Sequence, residues 1–114
     1  MEIKSKLESE LHNAMRSNDE LRKRTIRMAL SAIKMAESDS GDTLDEGVVL
    51  IILHKEVKSR KESIIDAEKA GRSDLITVAE AEIKVIEEFL PQPLDDGALK
   101  ELIQSIIMEV SANG

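Results

Sequence analysis

The stretch TLDEGVVLIILHKEVKSRKESIIDAEKAG, residues 43–71, decides the fold. Its apolar side chains recur at Val49, Ile52, Leu53, Val57, Ile64 and Ala67. Steps of about three or four residues gather side chains on one side of a helix, whereas a half-buried strand needs strict alternation, which no segment of this chain sustains. Thr43-Leu44-Asp45-Glu46 has the spacing of a capping box, in which a hydroxyl and a carboxylate satisfy the first free backbone amides. A helix is therefore predicted to open there, and to stop at Ala70, because Gly71 suits the left-handed position after a helix end.

Downstream, Ser73-Asp74 is predicted to open a further helix with Leu75, Val78, Ala79, Ile83, Ile86 and Leu90 on one stripe. Pro91-Gln92-Pro93 must end it, since neither proline can donate a backbone hydrogen bond and each restricts the residue before it. Upstream, Ser38-Asp39-Ser40-Gly41-Asp42 reads as a loop rich in turn formers. A helix should precede it from near Asp19, with Ser17 and Glu20 as a second capping box. It carries Leu21, Met28, Ala32 and Met35 on one side and Ile26, Leu30 and Ile33 on another, a pattern that predicts packing on both sides. Ile3, Leu7, Leu11 and Met15 mark a first helix.

Beyond the prolines, Leu94 can pack on Leu99 as a hydrophobic staple, and the last helix shows Leu99, Leu102, Ile103, Ile106, Ile107 and Val110. That face is too apolar to stand alone in water, so it either folds back on residues 1–90 or belongs to a second small unit. The expected fold is all-α. About four helices form an N-terminal bundle over residues 1–90, a proline joint follows at 91–94, and residues 95–114 begin a small C-terminal helical domain that is expected to be incomplete.

A chain of 114 residues is the size of one ordinary domain, and its 13 Ile and 12 Leu can supply a core. It has no Cys, so disulfides and thiolate metal sites are excluded. The start, Met1-Glu2-Ile3-Lys4-Ser5-Lys6, lacks the apolar run of a secretory signal, and the run Val48 to Leu53 is far too short to span a bilayer. A cytoplasmic location and no membrane partner are expected on these grounds.

Phe89 is the single aromatic residue, which argues strongly against a base-stacking platform for single strands. The net charge of −7 argues against indiscriminate binding to nucleic acid, and no DNA partner is expected. Charge is nevertheless unevenly spread. Residues 1–34 carry eight Lys or Arg against five Asp or Glu, while residues 73–114 carry two against nine. One part of the molecule can meet phosphate and another cannot.

No motif carries catalysis. His12 and His54 fall on different predicted helices and in no metal-ligand spacing, so His54 is expected to be a partly exposed helix residue. Glu80, Glu82, Glu87 and Glu88 lack the Glu-x-x-His pairing of bundle metal sites and read as a solvated acidic face. Neither a phosphate-cradling glycine loop nor a nucleophile elbow is present, and no metal or cofactor is expected. Two basic clusters remain: Arg22-Lys23-Arg24 with Arg27, and Lys55, Lys58, Arg60 and Lys61. As solvated faces they need no ligand. As a functional surface they could position the phosphates of a folded RNA, where shape and backbone contacts dominate.

Several segments, in this order along the chain, carry a resemblance. Thr25-Ile26-Arg27-Met28 with Ala32-Ile33-Lys34, then Lys58 to Ile64, Glu68 to Leu75, Glu80-Ala81-Glu82-Ile83 and Phe89-Leu90-Pro91 resemble the YqeY-like family. That family is similar to the tail region of the B subunit of glutamyl- and aspartyl-tRNA amidotransferase. The resemblance implies an all-α fold and a non-catalytic, tRNA-associated adaptor. Arg22, Arg24, Arg27, Lys58, Arg60, Lys61 and Arg72 are then candidate backbone contacts. It also implies a label of carbon–nitrogen ligase with glutamine as amide donor, by association, since the transamidation centre lies outside the shared region. The sequence departs from the family at Phe89, where Tyr is common, and at Gly114, where members usually continue. The alternative expectation is a protein-interaction module that docks a partner subunit through Leu102, Ile106 and Val110.

Overall fold

In the computed structural model, which describes residues 2–91, 97, 98 and 100–104, every regular element is an α-helix. Four helices run in order: α1 Ile3–Ser17, α2 Glu20–Ser40, α3 Glu46–Lys69 and α4 Ser73–Glu87. The described residues 97, 98 and 100–104 are helical as well.

The helix boundaries follow from local chemistry, although not always from the expected residue. Ser17 is the last residue of α1, and its hydroxyl donates back to the Ala14 carbonyl instead of opening α2. The α2 cap is Asp19, whose Oδ1 accepts the Arg22 backbone N–H at 3.1 Å. A shorter link suffices because Asn18 takes the left-handed conformation, φ 57°, which an Asn tolerates. The loop expected at Ser38–Asp42 is also shorter, since α2 continues through Ser40 and ends on Gly41 at φ 76°. Asp45, not Thr43, stands at the start of α3. The other end of α3 is as expected: Ala70 closes the helix and Gly71, at φ 68°, turns the chain into α4.

Neighbouring helices run antiparallel. Lys4 and Glu10 of α1 pair with Glu37 and Arg22 of α2, and α3 and α4 form the most extensively packed pair. Between them lie Leu7, Ile26, Leu30, Ile33, Val49, Leu53, Val57, Ile83, Ile86 and Phe89 as one buried core.

The pattern of burial corrects the sequence in several places. On α2 the Ile26, Leu30 and Ile33 side is buried, but Met28 and Met35 are exposed, so α2 is covered on one side only. On α4, Ala79, Ile83 and Ile86 are buried whereas Leu75 and Val78 are exposed. The ion pairs that join α2 to α4, Arg24–Glu82 and Arg22–Glu88, lie toward the other end of α4 from Leu75 and Val78. On α1, Ala14 is buried and Met15 is exposed. His54, expected to be partly exposed, is 6% exposed, because α3 turns that side toward α4.

Candidate nucleic-acid interface

The basic residues of the front half sit on α2, and helical geometry divides them. Residues two positions apart leave a helix in different directions, so Arg22 reaches Glu10 of α1 and Glu88 at the end of α4, whereas Arg24 reaches Glu82 of α4. Arg22 holds Glu88 through Nη1 at 2.8 Å and Nη2 at 3.0 Å, and Glu10 through Nη2 at 3.1 Å. Glu88 above all, then Glu10, raises the Arg22 pKa above its ordinary value.

Arg24 and Arg27 point the other way. With Lys23, Met28 and Ser31 of α2 they line an open groove whose far wall includes Glu56 of α3. Lys23 pairs with Glu20 at 2.9 Å, and Arg24 reaches Glu82 at 3.4 Å. Arg27 is exposed and makes no ion pair or side-chain hydrogen bond among the described residues. The groove thus offers three cations on one ridge, one of them uncommitted.

Arg60 lies beneath this groove and is 8% exposed. Its Nη1 donates to Glu56 at 2.9 Å, its Nε stands 3.4 Å from Glu82, and its Nη2 donates to the Met28 sulfur at 3.7 Å. Glu82 therefore stands between Arg60 and Arg24, and ties α4 to α3 and α2 at one point. A buried charge needs such partners, because desolvation is otherwise prohibitive. Arg60 serves this junction and presents no surface to a ligand.

The remaining candidates lie apart. Lys58 and Lys61 are exposed on α3 and do not line the groove. Arg72, exposed at the α3–α4 turn, grips Asp74 with two nitrogens at 3.1 and 2.9 Å. That hydrogen bonding raises the Arg72 pKa and lowers that of Asp74. Leu102 is half-buried, while Ile106 and Val110, like Pro93 and Leu94 of the proline joint, lie outside the described residues.

The structure thus brings Arg24 and Arg27 together with Lys23 of the same basic cluster, which was not among the candidate contacts, and adds Met28 and Ser31. Their spacing along one helix ridge was readable; the neutralising role of Glu82 was not, because its partners are far away in sequence. Phe89 keeps a packing role, 5% exposed, with the Lys6 ammonium 5.8 Å from its ring centre. Among the described residues no group of His, Asp and Glu is arranged to hold a metal ion, and no helix is long and apolar enough to cross a membrane.

Residues 4–114 match the family model described as Yqey-like protein. The chain is 42% identical over 87 residues to altered inheritance of mitochondria protein 41, mitochondrial, of Lachancea thermotolerans, covering 75% of this chain and 46% of that protein. It is 43% identical over 84 residues to the protein of the same name in Kluyveromyces lactis, covering 73% and 45%. An uncharacterized protein of Schizosaccharomyces pombe is 30% identical over 90 residues, 79% of this chain and 73% of that one. The chain spans about half the length of the mitochondrial relatives. Their names overturn the cytoplasmic location expected from the sequence. The expectation rested on the lack of an apolar leader, a criterion that detects secretory signals but not the amphipathic leaders of mitochondrial import.

Proposed function

Because the chain belongs to the YqeY-like family, we propose that it is a non-catalytic adaptor that holds tRNA by its sugar–phosphate backbone along the Lys23, Arg24 and Arg27 ridge. The observation that carries this reading is Arg27, an exposed guanidinium with no carboxylate partner among the described residues, flanked by Lys23, whose partner Glu20 is solvent-exposed, and by Arg24, itself exposed beside Glu82. A planar guanidinium suits phosphate, and backbone contacts position a folded RNA without reading its bases. The family's similarity to the tail region of the amidotransferase B subunit, which helps to hold tRNA, supports tRNA as the class of RNA. Carbon–nitrogen ligase chemistry attaches to the family by association. Incubation with glutamine, ATP and misacylated tRNA is expected to give no amidated product.

The surface is narrower than the sequence suggested. Arg22 and Arg72 are held by carboxylates and Arg60 is buried, so the ridge supplies about three phosphate contacts, and affinity should be modest and strongly salt-dependent. Titration of labelled tRNA at rising salt tests this directly. Arg27→Ala is expected to weaken binding and to reduce the slope of log K against log salt by about one. A flat salt response in the unaltered chain would remove the reading.

A second reading, a module that docks a partner protein, draws on the exposure of Ile65, Leu75 and Val78 on the α3–α4 pair. Light scattering after size exclusion separates the two. A tight dimer without RNA affinity favours the second.

A further inference from the structure

The acceptor that α2 offers to buried Arg60 is a thioether. Arg60 Nη2 donates to Met28 Sδ at 3.7 Å, its one hydrogen bond to α2, while on the α4 side its Nε stands 3.4 Å from Glu82 without making a hydrogen bond among the described residues. Sulfur of this kind accepts weakly, so the guanidinium is under-served on the side facing α2. Met28 is nevertheless 47% exposed and forms part of the groove wall, where small solutes can reach it.

We propose that Met28 is a redox-modification site: hydrogen peroxide adds one oxygen to its sulfur, and the sulfoxide is then held by the Arg60 guanidinium. The sulfur lone pair attacks one peroxide oxygen, the S–O bond forms as the O–O bond breaks, and proton transfer releases the other oxygen as water. Sulfur is oxidised by two electrons and peroxide is reduced by two. The product oxygen carries partial negative charge and projects from the sulfur by one bond, which brings a strong acceptor to a donor that had a weak one.

Oxidation of methionine ordinarily disrupts packing, because a polar oxygen enters apolar surroundings. At Met28 the surroundings are the reverse. Arg24, Arg27 and Ser31 share the groove, and Arg60 lies beneath it. The oxidised side chain therefore tightens the junction of α2 and α3. Sulfoxide reductases can restore the thioether, so the change is reversible. Met15 and Met35, 46% and 68% exposed, are also open to peroxide but their side chains have no polar partner among the described residues, so both are removed from the test.

The test treats a Met15→Leu/Met35→Leu variant and the same variant carrying Met28→Leu with hydrogen peroxide. Peptide mass spectrometry locates the added oxygen, and thermal unfolding is followed before and after. The expected result is oxygen at Met28 and a rise in Tm of about 4 °C, the size of shift one charge-assisted hydrogen bond produces in a domain this small. Sulfoxide reductase should reverse it, and Met28→Leu should abolish it. Arg60→Lys, which keeps the charge and loses the fork, should at least halve the rise; if it does not fold, the Met28→Leu comparison decides alone. An unchanged or lowered Tm with Met28 oxidised, an unmodified Met28, or an equal rise in Met28→Leu would overturn the proposal.

Discussion

Arg22 grips the Glu88 carboxylate with both terminal nitrogens, at 2.8 and 3.0 Å, and so fastens the start of α2 to the residue that closes α4. Its Nη2 also reaches Glu10, which brings α1 into the same contact. A forked contact of this sort is worth more than an ordinary surface pair, although Glu88 is half-exposed and water moderates the gain. Arg22→Ala is expected to lower stability by about 1 kcal/mol, with an unchanged urea m value. Arg22→Lys should recover less than half, since an ammonium cannot form the fork.

Arg60 and Glu82 are a different case, because both side chains are largely withdrawn from water, 10% and 14% exposed. Removing either leaves a charge that the fold must still desolvate. Arg60→Ala is expected to cost about 3 kcal/mol and Glu82→Ala nearly as much. The double variant should cost clearly less than the sum, and strict additivity in chemical denaturation would show that the two do not act as a pair.

His54 sets a pH dependence. Burial pushes its pKa below the ordinary 6.5, with Glu87 opposing and Lys61 reinforcing the shift. At a pH between the lowered and the ordinary value, the unfolded chain binds a proton that the folded chain refuses. Stability from this group is therefore complete above the ordinary value and declines as pH falls below it. Urea midpoints at about pH 7.5 and about pH 5.5 should show the decline, above the range where carboxylates titrate. His54→Gln should flatten it, and an equal decline in that variant would assign the effect elsewhere.

Gly71 and Asp19 test the turns. At φ 68° with open space around its Cα, Gly71 tolerates a methyl group sterically but not conformationally. Gly71→Ala should cost about 1 kcal/mol. Asp19→Ala, which removes the acceptor for the Arg22 amide, should cost about as much, and Asp19→Asn should restore most of it. Thermal unfolding of the three variants settles both points.

Much of the fold was readable because its determinants are local. The apolar rhythm of Val49, Leu53, Val57 and Ala67 did mark the buried side of α3, and Gly71 did mark its end. The same rhythm misplaced Leu75, Val78, Met28 and Met35. A stripe shows which side can be buried, but a neighbour must reach it, and the ion pairs between α2 and α4 lie at Glu82 and Glu88, away from Leu75 and Val78. The site was legible to the same degree. Lys23, Arg24 and Arg27 share a ridge by spacing alone, whereas Glu10, Glu82 and Glu88, which pair with Arg22, Arg24 and Arg60, come from other parts of the fold, and only Glu56 reaches Arg60 from its own helix.

By itself the sequence determined that this chain is helical, that Gly71 ends α3, and that positive charge gathers on α2. Periodicity, capping and left-handed glycines act over a few residues and need no partner. Only the tertiary structure decided that Arg60 and His54 are buried, that Arg27 stays free of a partner among the described residues, and that Met28 serves a guanidinium. Those outcomes depend on the register of one helix against another, and on whether a carboxylate comes close enough to offset the loss of water around a charge.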